Sequence, residues 1–197
     1  MIPISPLPSN VEPPGLPAGT GVGSFVVRAV QSRSEFSIRY RATASASDGE
    51  VVIEEFAPAG IAQRDAAGQL GPRSPADAAL WEAGRQAYLR ESEVLAKPLH
   101  PALVRIACVW QLRGTVYRLW PPLEGRTLAE VCAAWTEPPT EYWLRSFIAP
   151  LLDAVESLHR AGWVHGSVRP GQILVQPDGG PLLLDPDAVR AAIGARL

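Results

Sequence analysis

Hydrophobic and polar positions alternate with a period of two in the first part of the chain and with a helical period later on. Over 36–41, Phe36, Ile38 and Tyr40 alternate with Ser37, Arg39 and Arg41, so an extended strand there has one apolar and one polar face. Residues 25–30 and 50–56 are strand candidates on either side of it, the later one introduced by a turn at Ser47-Asp48-Gly49. Residues 59–74, with their glycines and Pro72, read as a loop. Ser74 or Asp77 is placed to cap a helix running to about Lys97, where Pro98 and Pro101 stop it. Strands at 103–111 and 115–120 follow, joined by a tight turn at Arg113-Gly114. Residues 127–135 and 140–161 then read as helices. In the second, Leu144, Ile148, Leu151, Val155 and Leu158 form an apolar stripe, and Gly162 suits its C-terminal cap. Short strands at 173–176 and 181–184 complete the pattern. Three strands, a helix, two strands and then helices segregate a small sheet lobe from a helical one, an α+β arrangement.

Composition narrows the function. With 47% hydrophobic residues the chain can fill a core. Its formal charge of −2 gives no basic field, so nucleic acid is not an expected partner. Prolines at 3, 6, 8, 13, 14 and 17 make residues 1–20 an extended tail. Cys108 and Cys132 lack metal-ligand spacing and read as reduced, buried thiols of a cytoplasmic protein. There is no signal-peptide pattern and no long apolar run, so no membrane partner is expected. The chain has seventeen arginines and a single lysine, Lys97.

Several short segments, in order, resemble the bacterial serine/threonine protein kinases. They are Leu16–Thr20 before the first strand, Val52-Ile53-Glu54-Glu55-Phe56-Ala57-Pro58 in the third, and Tyr88-Leu89-Arg90-Glu91 on the helix that kinases call αC. Leu99–Val104, Gly114–Tyr117 and Leu123–Leu128 follow. Leu158-His159-Arg160-Ala161-Gly162-Trp163-Val164-His165 then leads into Val168–Leu174, and Leu183-Leu184-Asp185-Pro186-Asp187 stands at the metal motif. The resemblance implies a protein-kinase-like fold. Residues 21–122 would form a small lobe of five antiparallel strands plus αC. Residues 123–197 would form part of a mainly helical large lobe, cut short after the metal motif.

Phosphoryl transfer needs phosphates held, charge neutralised and a hydroxyl placed. By this resemblance the phosphate-binding glycines are replaced by Ser32, Ser34 and Ser37, and the phosphate-pairing lysine by Glu54. Its αC partner Glu91 remains. Two carboxylates would then face each other, and Arg39 is expected to turn into the cleft and pair with Glu54 or Glu91. Val52, the gatekeeper Trp120 and Pro121-Pro122 crowd the adenine site, leaving the Leu123 amide as a donor and Leu174 below, and the pocket is expected to be filled. Ser167 replaces the catalytic aspartate, Arg169 the loop lysine, and Gln172 the metal-binding asparagine. Asp185, with Asp187 beside it, is the one candidate metal ligand. His165, Pro170, Leu174, Leu95 and Phe36 keep the frame.

Frame positions stay while chemical positions change. The expectation is a pseudokinase that acts by binding a protein, with no cofactor. Its partner, or a second copy, would cover the large-lobe surface left bare. Two alternatives stand beside it: a non-catalytic switch that binds ATP and Mg²⁺, and a transferase using the frame for other chemistry, for which Ser167 and His165 would be the candidate pair.

Overall fold

The computed structural model describes residues 12–45, 49–186 and 188–194. The small lobe is built on one antiparallel sheet. Its strands are β1 (Gly21–Val22), β2 (Phe25–Arg33), β3 (Ser37–Ala44) and β4 (Glu50–Phe56). A two-stranded hairpin follows, β5 (Ala62–Arg64) and β6 (Leu70–Pro72). A 3-10 turn at Pro75–Asp77 leads into α1 (Ala78–Leu95), and then β7 (Cys108–Leu112) and β8 (Thr115–Trp120) complete the large sheet in the order β1-β2-β3-β4-β8-β7. The large-lobe portion comprises β9 (Arg126–Thr127), α2 (Leu128–Ala133), α3 (Glu141–Arg160), β10 (Ile173–Val175), β11 (Pro181–Leu183) and α4 (Ala188–Ile193).

The alternation read at 36–41 sets the faces of β3. Ile38, Tyr40 and Ala42 are buried in the small-lobe core with Val27, Ile53, Phe56 and Val116. The β7–β8 turn forms as expected, with Arg113 at φ 51° and Gly114 at φ 78°, the double left-handed geometry that a two-residue hairpin requires. A second core joins the lobes, where Leu95, Leu103, Ile106 and Trp120 meet Phe147, Leu151, Ala154 and Leu158 of α3. Thr127 and Thr140 accept hydrogen bonds from Glu130 N and Trp143 N and so start α2 and α3.

Several expectations need correcting. Residues 59–74 are not simply a loop: an Asp65–Gly68 turn closes β5 on β6, because Ile61, Ala62 and Leu70 have core to bury against. The strand expected at 103–111 starts at Cys108. Before it, Val104 N and Ile106 N are held by Leu183 O and Leu95 O outside any ladder. Ser74 caps no amide; its hydroxyl bonds Asp77 Oδ2 at 2.7 Å. The N-terminal tail does not extend through residue 20. Leu16 is buried, and its amide donates to the Tyr40 hydroxyl at 3.1 Å. Cys108 and Cys132 are both exposed rather than buried, because β7 is an edge strand and α2 buries none of its residues. The stripe proposed for α3 divides: Leu151 and Leu158 are buried, while Leu144 and Ile148 lie open beside Leu152, because Phe147 and Ala154 face the core instead. The turn residues Ser47 and Asp48, the tail up to Val11, and Asp187 lie outside the described residues. Among those described, no helix is long and apolar enough to cross a membrane.

Candidate functional site

The site starts from the register of three strands. Arg39 of β3 lies opposite Glu54 of β4, and Glu54 lies opposite Arg118 of β8. Side chains opposite one another in antiparallel strands share a face. A cation, an anion and a cation therefore form a row across the sheet on the face that meets α1 and the large lobe.

Each member of the row is held. Glu54 is 3% exposed. Its carboxylate accepts from Ser37 Oγ at 2.5 Å and Trp120 Nε1 at 2.6 Å, with Arg39 Nε at 3.4 Å. Burial alone would raise its pKa. Arg39, Arg118 and the two hydrogen bonds outweigh that, and the group lies below the usual carboxylate range. The expected Arg39–Glu54 pair is thus present, and the Arg39 guanidinium also lies over the Trp120 ring at 4.5 Å.

Arg118, which the sequence reading does not single out, organises the cluster. Only 1% exposed, it donates through Nη2 to Glu91 of α1 at 2.5 Å and through Nε to Ser92 Oγ at 2.6 Å. Its guanidinium lies over the Tyr88 ring at 3.7 Å, and Nη1 is 3.7 Å from Asp185. The other Glu91 oxygen accepts from Ala188 N at 2.9 Å. Two guanidiniums therefore serve three carboxyls. Burial first, and then Asp185, push Glu91 up to about 7 against the pull of Arg118. Burial and the Glu54 charge likewise raise Asp185. Interacting groups of this kind titrate as a set.

The next residue along β4 is treated in the same way on the opposite face. Glu55, fully buried, accepts from Tyr40 Oη and Tyr117 Oη at 2.6 Å each and from Arg64 Nη2 at 2.5 Å. Burial is the main reason that both phenols are raised. Arg64 also donates to Pro14 O at 2.9 Å, which ties the N-terminal segment to the outside of the sheet.

Beside the row lies a cavity of about 560 Å³ between the lobes, where the sequence implies a filled pocket. It brings together Ser32, Ser34, Ser37, Arg39, Glu54 and Glu91 from the small lobe with Leu123, Ser167, Gln172, Leu174 and Asp185 from the large. Val52 and Trp120 are outside its lining and pack in the inter-lobe core. The bulk of Trp120 stands beside the space rather than in it. The serine hairpin is internally bonded, since Ser34 Oγ receives Ser37 N at 3.0 Å and lies 2.8 Å from Ser37 Oγ. The His165 ring meets backbone on both sides, Leu184 O at Nε2 (2.9 Å) and Ser167 N at Nδ1 (3.2 Å), as a packing role requires.

α4, which the sequence does not suggest, closes one end of this space. Val189 and Ile193 are buried in the small-lobe core. Gly84 of α1 permits that approach: a Cβ there would stand 2.8 Å from Ile193 Cδ1 and 2.9 Å from Phe56 Cζ. Arg190 bonds Glu35 at 2.5 Å and lies over Phe36, fastening the serine hairpin.

No family model matches the chain. Solved structures do match it. PpkA-294 in its apo form aligns with a TM-score of 0.77 and 28% identity, over 95% of this chain and 65% of that one. The PknI kinase domain of Mycobacterium tuberculosis aligns with a TM-score of 0.61 and 18% identity, over 87% and 62%. A point mutant of that domain gives 0.62 and 19%, over 87% and 63%. The fold is protein-kinase-like. The chain spans about two thirds of the length of these kinase-like chains. Within that fold α1 takes the place of αC, and the cavity is the cleft between the lobes.

Proposed function

We propose that the chain is a catalytically inactive kinase-like module that acts by binding another protein. One observation carries the reading. The position where a kinase holds its phosphate-pairing lysine is occupied by Glu54, whose charge is consumed by Arg39, Ser37 and Trp120, while Arg118 from the neighbouring strand has taken over the pairing with Glu91. The helix is thus held inward by a residue that needs no nucleotide. At the positions matched to the catalytic loop, Ser167 offers a neutral hydroxyl where a proton acceptor is needed, and Gln172 replaces a metal ligand. The surface offered to a protein partner or a second copy is the large-lobe face, on which Leu144, Ile148 and Leu152 are exposed.

The test is incubation with labelled ATP and Mg²⁺ or Mn²⁺, alone and with generic acceptor proteins, beside a thermal-shift titration. The reading expects no incorporation and no metal-dependent shift. Incorporation lost on Ser167→Ala would overturn it in favour of a transferase. The open cavity favours one second reading, a non-catalytic nucleotide switch with Asp185 as metal ligand. A shift with ATP that requires the metal and disappears in Asp185→Asn, without incorporation, would select it.

A further inference from the structure

The cleft has more hydrogen-bond donors than the protein uses. The Arg39 guanidinium meets Glu54 through Nε, and its terminal nitrogens make no hydrogen bond among the described residues. The Arg169 side chain, exposed on the cavity wall, has no partner among them either. The Tyr88 hydroxyl, on a residue 3% exposed that also lines the cavity, is an orphan. A buried hydroxyl left unpaired costs about 1–3 kcal/mol. The acceptors, by contrast, are largely taken. Glu54 and Glu91 each accept at least two hydrogen bonds, while Asp185 and Glu35, the latter bonded by Arg190, have capacity to spare. Five arginines against four carboxyls line the space. The base half of a nucleotide has no comparable welcome, because the Arg39 guanidinium, which lines the space, lies over the Trp120 ring.

We propose that this cleft binds a small acceptor-rich anion carrying no nucleobase, a polyphosphate or polycarboxylate, through Arg39 and Arg169. The proposal rests on the inactive reading of the same cleft and gives it a ligand class. A cavity of this size lies within the range of small-molecule sites, and guanidinium groups match phosphate and carboxylate in a forked geometry.

The experiment is a calorimetric and thermal-shift titration of the whole chain with pyrophosphate, tripolyphosphate and citrate, beside ATP and adenosine. At least one base-free anion is expected to raise the melting temperature with saturation. Arg169→Ala, at an exposed position, is expected to weaken it roughly tenfold or more without changing the fold; Arg39→Ala is expected to weaken it as much, together with a loss of stability from the Glu54 charge it leaves behind. Arg41→Ala, at an exposed arginine outside the cavity, is the control and is expected to change nothing. ATP is expected to bind no tighter than tripolyphosphate, and adenosine not at all. Silence from all three anions, or binding indifferent to both cleft arginines, overturns the proposal. So does ATP binding tighter than tripolyphosphate. None of these results involves phosphate incorporation, which alone decides whether the module is inactive.

Discussion

Arg118→Met is the most informative single change, because it removes the cation and keeps a flexible side chain in its place. The wild-type guanidinium is 1% exposed and pairs with Glu91, itself 2% exposed, at 2.5 Å, with Asp185 behind it at 3.7 Å. Removing one partner of a buried pair strands the other charge, which costs roughly 3–5 kcal/mol. The lost stacking on Tyr88 adds about 1 kcal/mol. For a chain of this size the melting temperature falls about 2–4 °C per kcal/mol, so a drop of roughly 10 °C or more is expected. The assay is urea and thermal denaturation at pH 8 and above, since Glu91 takes up its proton near 7 with Arg118 pulling it down and at a higher pH once Arg118 is gone. The double variant Arg118→Met/Glu91→Gln, with no stranded charge at position 91, is expected to recover about half of the loss or more. A single variant within about 1 kcal/mol of the wild type, or a double variant no better than the single, would refute the claim that Arg118 organises the cleft.

Three further outcomes follow from the same geometry. Glu91 is raised above its ordinary value, so the folded state holds more protons than the unfolded state between the two pKa values. Stability is then greatest below about pH 4.5 as far as this group is concerned and declines as pH rises through about 7, by at most roughly 3 kcal/mol; denaturation midpoints across this range should lose that slope in Glu91→Gln. Gly84→Ala gains helix propensity of about 1 kcal/mol but crowds Ile193 and Phe56, and overpacking of about 1–3 kcal/mol should leave it less stable. Faster amide exchange over 188–193 would mark α4 as the part displaced. Thr127→Ala removes one arm of a reciprocal cap, in which Glu130 N donates to Thr127 Oγ1 at 3.2 Å and Thr127 N to Glu130 Oε2 at 2.7 Å. A loss of about 1 kcal/mol in thermal unfolding is expected.

The sheet and the long helices are legible in the sequence because their burial follows simple periods. β3, β4 and β8 appear where alternation and a two-residue turn put them, and α1 and α3 end near their prolines or glycine. Elements that depend on distant partners are not legible. β5 and β6 are three residues each, too short for a period, and exist because Ile61, Ala62 and Leu70 cover the small-lobe core. α4 has six residues, below the length at which a helix holds in water alone, and forms where Val189 and Ile193 meet Phe56 and Gly84. The α3 stripe read from the sequence is right at Leu151 and Leu158 but not at Leu144 and Ile148, which satisfy the period as well as Phe147 and Ala154 do, and only packing decides between them.

The site divides along the same line. Glu54 and Arg39 can be paired from sequence because they sit on adjacent strands of a predictable hairpin. Arg118 requires one more step, counting parity on β8. Val116 and Trp120 are buried on the same side of the strand as position 118, and a charge between them in an otherwise apolar inward row has nowhere to go but the interior. Such a residue demands a buried anion nearby, since an unpaired guanidinium in a core is untenable. Glu91 is that anion. Glu54 on β4 and Arg118 on β8, which look independent in the sequence, are therefore one feature in physical terms: the cation that pairs with Glu91 stands directly opposite Glu54, one strand across. The cross-strand register gives Glu54 and Glu91 a guanidinium each, Arg39 for the first and Arg118 for the second.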